Sequence, residues 1–112
     1  VCNETQAKIR VVQPNARGEL DLADFRSALS PRTRMVALQH VSNSLGTIHD
    51  VTAITALAKT VNAKVLIDGA QSIAHQPIDL PAIDCDFFAF GAHKVYGPTG
   101  IGVLWGRREI LE

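Results

Sequence analysis

The sequence predicts an α/β fold, a mostly parallel sheet flanked by helices. Short apolar runs alternate with capped amphipathic segments, and no repeat, low-complexity tract or linker interrupts the alternation. The composition, 46% hydrophobic and 20% charged, is that of a globular chain rather than a disordered one. At 112 residues the chain holds one modest core, so residues 1–112 are read as one unit without an internal boundary.

The run Ala7 to Val12 reads as a first short strand, closed by the Pro, Asn and Gly of "PNARGE". From Asp21, a natural N-cap, Leu22, Phe25 and Leu29 share one helical face, and Pro31 stands just past the end. Met35 to Val41 is apolar and short, which fits a buried strand or a helix fragment, and its length favours the strand. A second helix starts after the cap Asp50, with Val51, Ile54, Leu57, Ala58 and Val61 on one face and Asn62 as a left-handed stop. The strand Lys64 to Ile67 follows, then a turn region with one helical turn, the apolar run "DFFAF", and a last strand "GVLW". Right-handed crossovers between such strands imply a parallel sheet covered on both faces. The last two strands are joined too briefly for a crossover, so the final one is expected antiparallel, followed by the start of a helix at "RREILE".

Eleven basic residues balance eleven acidic ones, which leaves no field to hold nucleic acid or an anionic membrane. No apolar stretch reaches the ~18 residues of a membrane helix, and no signal-peptide pattern opens the chain, so a cytoplasmic location is the default expectation. Cys2 and Cys85 are too few for a disulfide scaffold and too far apart for a zinc pair, and both are read as reduced, structural thiols. For Cys85, the neighbouring Asp84 and Asp86 are expected to raise the thiol pKa. His40 and His75 suggest no partner, and His49, beside the cap Asp50, is expected to face solvent. Trp105, Phe87, Phe88 and Phe90 look like core. A start at Val1 and an end inside a helical pattern make the chain an expected excerpt of a longer protein.

In open parallel sheets, ligands bind beyond the carboxyl ends of the strands. Three loops qualify: one carrying Ser42 and Asn43, one beginning at Asp68, and one carrying His93 and Lys94. Together they bring an amide, a carboxylate, an imidazole and a primary amine to one rim. That set suits pyridoxal phosphate, whose carbonyl condenses with an amine and whose ring nitrogen a carboxylate keeps protonated. Singly, each residue has a plainer reading: Asp68-Gly69 as a turn, Asn43 as an Asx-turn, Lys94 as a surface lysine. "YGPTGIG" lacks the ending of a nucleotide P-loop and reads as backbone engineering.

The blocks "HVSNSLG", "VLIDGAQ" and "FGAHKVYGPTGIGVLWG" resemble the pyridoxal-phosphate-dependent class V aminotransferase family, most closely cysteine desulfurases of the Suf and Csd type. The resemblance covers essentially the whole chain and implies the central part of a fold-type-I large domain. It implies that Lys94 binds the cofactor covalently and moves the substrate α-proton, Asp68 pairs with the ring nitrogen, Gln71 and Asn43 contact the ring-hydroxyl edge, and His93 contacts the phosphate. It further implies L-cysteine or a similar amino acid as substrate, alanine as product, a possible sulfur-acceptor protein and a homodimer. A selenocysteine lyase or epimerase-like relative would keep Lys94, Asp68 and Gln71, whereas a non-catalytic remnant need not. A Rossmann module would need its glycine turn after the first strand.

One position departs from the family pattern. Gly91 stands where the family usually has Ser or Thr donating to the phosphate, and a lost donor to a charged acceptor is worth about 1.5–3 kcal/mol. The family's first phosphate turn, its ring-stacking histidine, its persulfide cysteine and its substrate arginine match nothing in this stretch, so the 112 residues alone are not expected to turn over substrate.

Overall fold

The computed structural model describes residues 2–112, the side chains of Cys2 and Asn3 excepted. Cys2 begins the short helix α1 (Cys2–Thr5), and the expectation of a buried thiol there lies outside the described side chains. Next come α2 (Leu22–Ala28), β1 (Met35–Gln39), α3 (Val51–Lys59), β2 (Lys64–Asp68), α4 (Leu80–Ile83), β3 (Phe87–Gly91), a 3-10 turn (Ala92–Val95), β4 (Gly102–Gly106) and α5 (Arg108–Leu111). The sheet order is β1-β2-β3-β4; β1, β2 and β3 are parallel and β4 runs antiparallel to β3. The expected fold class is what the chain adopts.

Local chemistry starts and stops the helices where the sequence says. Asp21 Oδ1 accepts from the Ala23 N–H at 2.6 Å, Asp50 Oδ1 from Ala53 at 2.9 Å, and Asp79 Oδ1 from Ala82 at 3.0 Å. Each satisfies a first-turn donor that the helix itself leaves unpaired. Asn62, at φ 58°, turns the chain out of α3 in the left-handed region.

Two expectations are corrected. Ala7 to Val12 is not a strand: Ile9 and Val11 are 77% and 68% exposed, and the run pairs with no strand of the sheet. Extended backbone becomes a strand only through a ladder partner, which an apolar pattern cannot report. Among the described residues, the helices also lie on one face of the sheet rather than on both. Strand order advances β1 to β2 to β3 without reversal, and right-handed crossovers in one direction place every helix on the same side. Val36, Val65, Ile67 and Phe88 face α3 and are buried, whereas Met35 and Leu104, on the other face, are 52% and 60% exposed.

The edges of this core are held by polar pairs near the amino ends of β2 and β3. Asp86, buried, accepts from the Val65 N–H at 2.8 Å and from Lys64 Nζ at 3.2 Å. Asp84 pairs with Lys59 and Arg107, and its carboxyl lies below the usual range, first because Lys59 hydrogen-bonds it. Cys85 is fully buried, and burial rather than the neighbouring Asp86 is the main cause that raises its thiol pKa. An inert thiol is the result. Phe88 is core as expected, with Phe90 and Trp105 packed against it, while Phe87 lies half-buried on the open face.

Gly69, the first residue past β2, is required by packing. A β-carbon there would lie 1.9 Å from Cζ of Phe88. Gly69→Ala is therefore expected to destabilise the intact protein by about 1–3 kcal/mol or more, through overpacking. A fall in the denaturation midpoint, partly reversed by adding Phe88→Leu, would show that ring contact to be the cause.

Candidate functional site

The carboxyl ends of the three parallel strands stand level. Gln39 pairs with Asp68, and Asp68 pairs with Ala89, two residues before the end of β3. The loops after β1, β2 and β3 therefore leave from one rim. Asp68 and Gly91 occupy the open face, where a groove of about 400 Å³ is lined by Asp68, Ala70 and Gly91 on one side and Gly102, Val103 and Leu104 on the other.

Asp68 is exposed at that rim, and its Oδ1 accepts from the Ala70 N–H at 2.9 Å. This bond aims the carboxylate, and Oδ2 makes no hydrogen bond among the described residues. Asn43 lies in the β1–α3 loop and Gln71 at the start of the β2–α4 loop. Although 28 residues apart, they meet directly, the Gln71 amide donating to Asn43 Oδ1. Lys94 sits in the 3-10 turn immediately after β3, half-buried, and makes no ion pair among the described residues.

His93 precedes it, exposed, with its ring folded back over Gly91. A β-carbon at position 91 would lie 2.8 Å from the ring's Cε1 and 2.9 Å from Nδ1. The glycine thus makes room for the imidazole in this rotamer. No hydrogen bond or ion pair joins Lys94 or His93 to Asp68, Asn43 or Gln71 among the described residues, so the structure joins the two amides, sets Asp68 three residues before Gln71, and leaves the amine on the loop after β3 at the same rim.

His40 has a partner that the sequence does not suggest, and His49 is not in solvent as expected. His40 and His49 are both buried, each 8% exposed. The His49 N–H donates to the His40 carbonyl at 2.9 Å, and Val41 and Ile48 form an antiparallel bridge that turns His49 inward. Gln76 Nε2 lies 3.1 Å from Nε2 of His40. A contact across 36 residues leaves no sequence pattern; the only hint was a histidine directly after an apolar strand.

Burial first, and the neighbouring His49 second, hold the His40 pKa below the usual imidazole value of 6.5. The unfolded chain takes up a proton near 6.5, and the folded chain resists it. Stability is therefore full above that value and lost as pH falls through it toward the lower folded pKa. Denaturation midpoints of the intact protein should drop between pH 7 and pH 5, and His40→Gln should flatten that dependence.

The donor types at this rim suit pyridoxal phosphate: a carboxylate with one uncommitted oxygen, a pair of amides, an exposed imidazole and an amine without a counter-ion among the described residues, of which Asp68 lines the open groove. In parallel α/β sheets, small ligands bind across such strand ends.

The chain belongs to the class-V aminotransferase family, whose pattern matches residues 1–112. It is 51% identical over 105 residues to a cysteine desulfurase of Pectobacterium atrosepticum, covering 94% of this chain and 26% of that protein. A cysteine desulfurase of Synechococcus elongatus is 50% identical over 109 residues, 97% of this chain and 17% of that protein. Among solved structures, the cysteine desulfurase CsdA of Escherichia coli, as its S-sulfonic acid, superposes with a TM-score of 0.94 at 40% identity, over 99% of this chain and 28% of that one. SspA in complex with cysteine matches with a TM-score of 0.88 at 30% identity, over 95% and 30%. The chain thus spans under a third of the length of these relatives.

Proposed function

We propose that these residues form the central part of the cofactor site of a pyridoxal-phosphate-dependent cysteine desulfurase. The observation that most supports this is the meeting of Asn43 and Gln71 beside Asp68, two amides and a carboxylate gathered from separate loops. Similarity to cysteine desulfurases over nearly the whole chain supports the choice of activity. When bound, pyridoxal phosphate supplies an electron sink for charge that develops at the α-carbon of an amino acid.

This chain's residues then have distinct tasks. Lys94 Nζ would anchor the cofactor and serve as the base for the α-proton. Asp68 would pair its carboxylate with the ring nitrogen and so favour its protonated form. Gln71 and Asn43 would hold the ring-hydroxyl edge. His93, in the space Gly91 leaves, would donate to the phosphate. Cys85 is buried and takes no part in sulfur transfer. A homodimer, a sulfur-acceptor protein and a cytoplasmic setting belong to the same reading, as does L-cysteine, which the cysteine complex of SspA supports.

The test is product analysis of the intact protein with L-cysteine, pyridoxal phosphate and a thiol reductant. Alanine and sulfide in equal amounts are expected, the reductant supplying the two electrons. A keto acid, or no alanine, contradicts the assignment.

A further inference from the structure

We propose that His40 is a positioning residue, which through Gln76 sets the loop carrying Gln71 against the loop carrying Asn43. Beyond the strand bond from the His40 N–H to the Asp68 carbonyl at 2.8 Å, the two loops share only two hydrogen-bonded ties among the described residues. One is the contact of Asn43 with Gln71 at the rim. The other is Gln76 to the buried ring of His40, 3.1 Å from Nε2 and 3.4 Å from Nδ1.

The two ties differ in character. Asn43 is exposed, so water competes for its amide, whereas the His40 ring is buried and has little solvent to exchange for Gln76. Gln71 and Gln76 belong to one compact turn. The Ser72 N–H donates to the Gly69 carbonyl at 3.0 Å, and the Gln76 N–H donates to the Ser72 carbonyl at 3.1 Å. Holding Gln76 therefore holds the turn that presents Gln71. His40 itself is fixed on both sides by backbone bonds, to Asp68 and to His49, so it is the rigid partner.

Replacing the buried His40 ring also changes the pH dependence of stability, so the variants are placed at half-buried Gln76. The proposal rests on the pyridoxal-phosphate reading for its cofactor arm only. In the intact protein without cofactor, Gln76→Ala is expected to raise backbone hydrogen exchange at residues 42–47 and 70–76 by about threefold to tenfold, the worth of one hydrogen bond, with α2 and β4 unchanged. Gln76→Glu, whose carboxylate accepts from the imidazole N–H, restores protection.

With pyridoxal phosphate, Gln76→Ala should weaken binding by a similar factor in wild type and have no further effect once Gln71 is alanine. Exchange that is unchanged, or raised evenly over the whole protein, overturns the proposal. So does a binding loss that adds in full to that of Gln71→Ala. Wild-type protein that binds no pyridoxal phosphate would defeat the functional reading instead, and the exchange result alone would then decide the tie.

Discussion

Lys94→Ala is expected to lower alanine formation from L-cysteine by about 10²–10⁴-fold, the contribution of a positioned proton-transfer group. The side chain makes no ion pair among the described residues and sits in a four-residue turn, so stability should change by no more than about 0.5 kcal/mol. Lys94→Arg separates charge from chemistry. It keeps the cation but not a nucleophilic amine, because a guanidinium stays protonated. Both variants should be equally inactive in a direct assay of alanine. An arginine variant with near-native rates would mean that only positive charge is needed at this point of the rim.

Asp68→Asn is expected to cost about 10²–10³-fold in the same assay, the scale seen when one preorganised electrostatic partner is removed. The amide oxygen can still accept from the Ala70 N–H, so the loop geometry survives while the negative charge is lost. Asp68→Ala removes both, and should add about 1 kcal/mol of destabilisation for the donor left without its acceptor. Matching rates with different denaturation midpoints for the two variants would separate the charge from the scaffold. Equal activity of Asp68→Asn and wild type would remove Asp68 from the mechanism.

What the sequence made legible was local or alternating. Asp21 and Asp50 announced their helices because a cap acts within three residues, and Asn62 announced a stop for the same reason. The antiparallel turn of β4 followed from a connection too short to cross over. Non-local facts were hidden. Ala7 to Val12 has the pattern of a strand but pairs with no strand among the described residues, and the placing of these helices on one face depends on the direction of strand order, which hydrophobicity does not encode.

The candidate site divides along the same line. Asp68 and Lys94 are legible together because one closes an apolar strand and the other stands three residues past the next, at the same end of the sheet. Asn43 alone reads as an Asx-turn and Gln71 is marked only by the resemblance; only the folded chain puts one amide on the other. His49 sits beside a helix cap and reads as solvent-facing until the bridge between Val41 and Ile48 turns it inward. Gly91 reads as a missing hydroxyl, and the fold gives its space to the His93 ring.

The central claim is that one amine, on the loop after β3, carries the cofactor. Lys59 and Lys64 are already paired with Asp84 and Asp86 near the amino ends of β2 and β3, away from the rim that Asp68 marks. Borohydride reduction of the intact protein loaded with pyridoxal phosphate, followed by peptide mapping, should therefore find a single pyridoxyl group, on Lys94. A group on Lys59 or Lys64, or none on any lysine of this chain, would contradict the account.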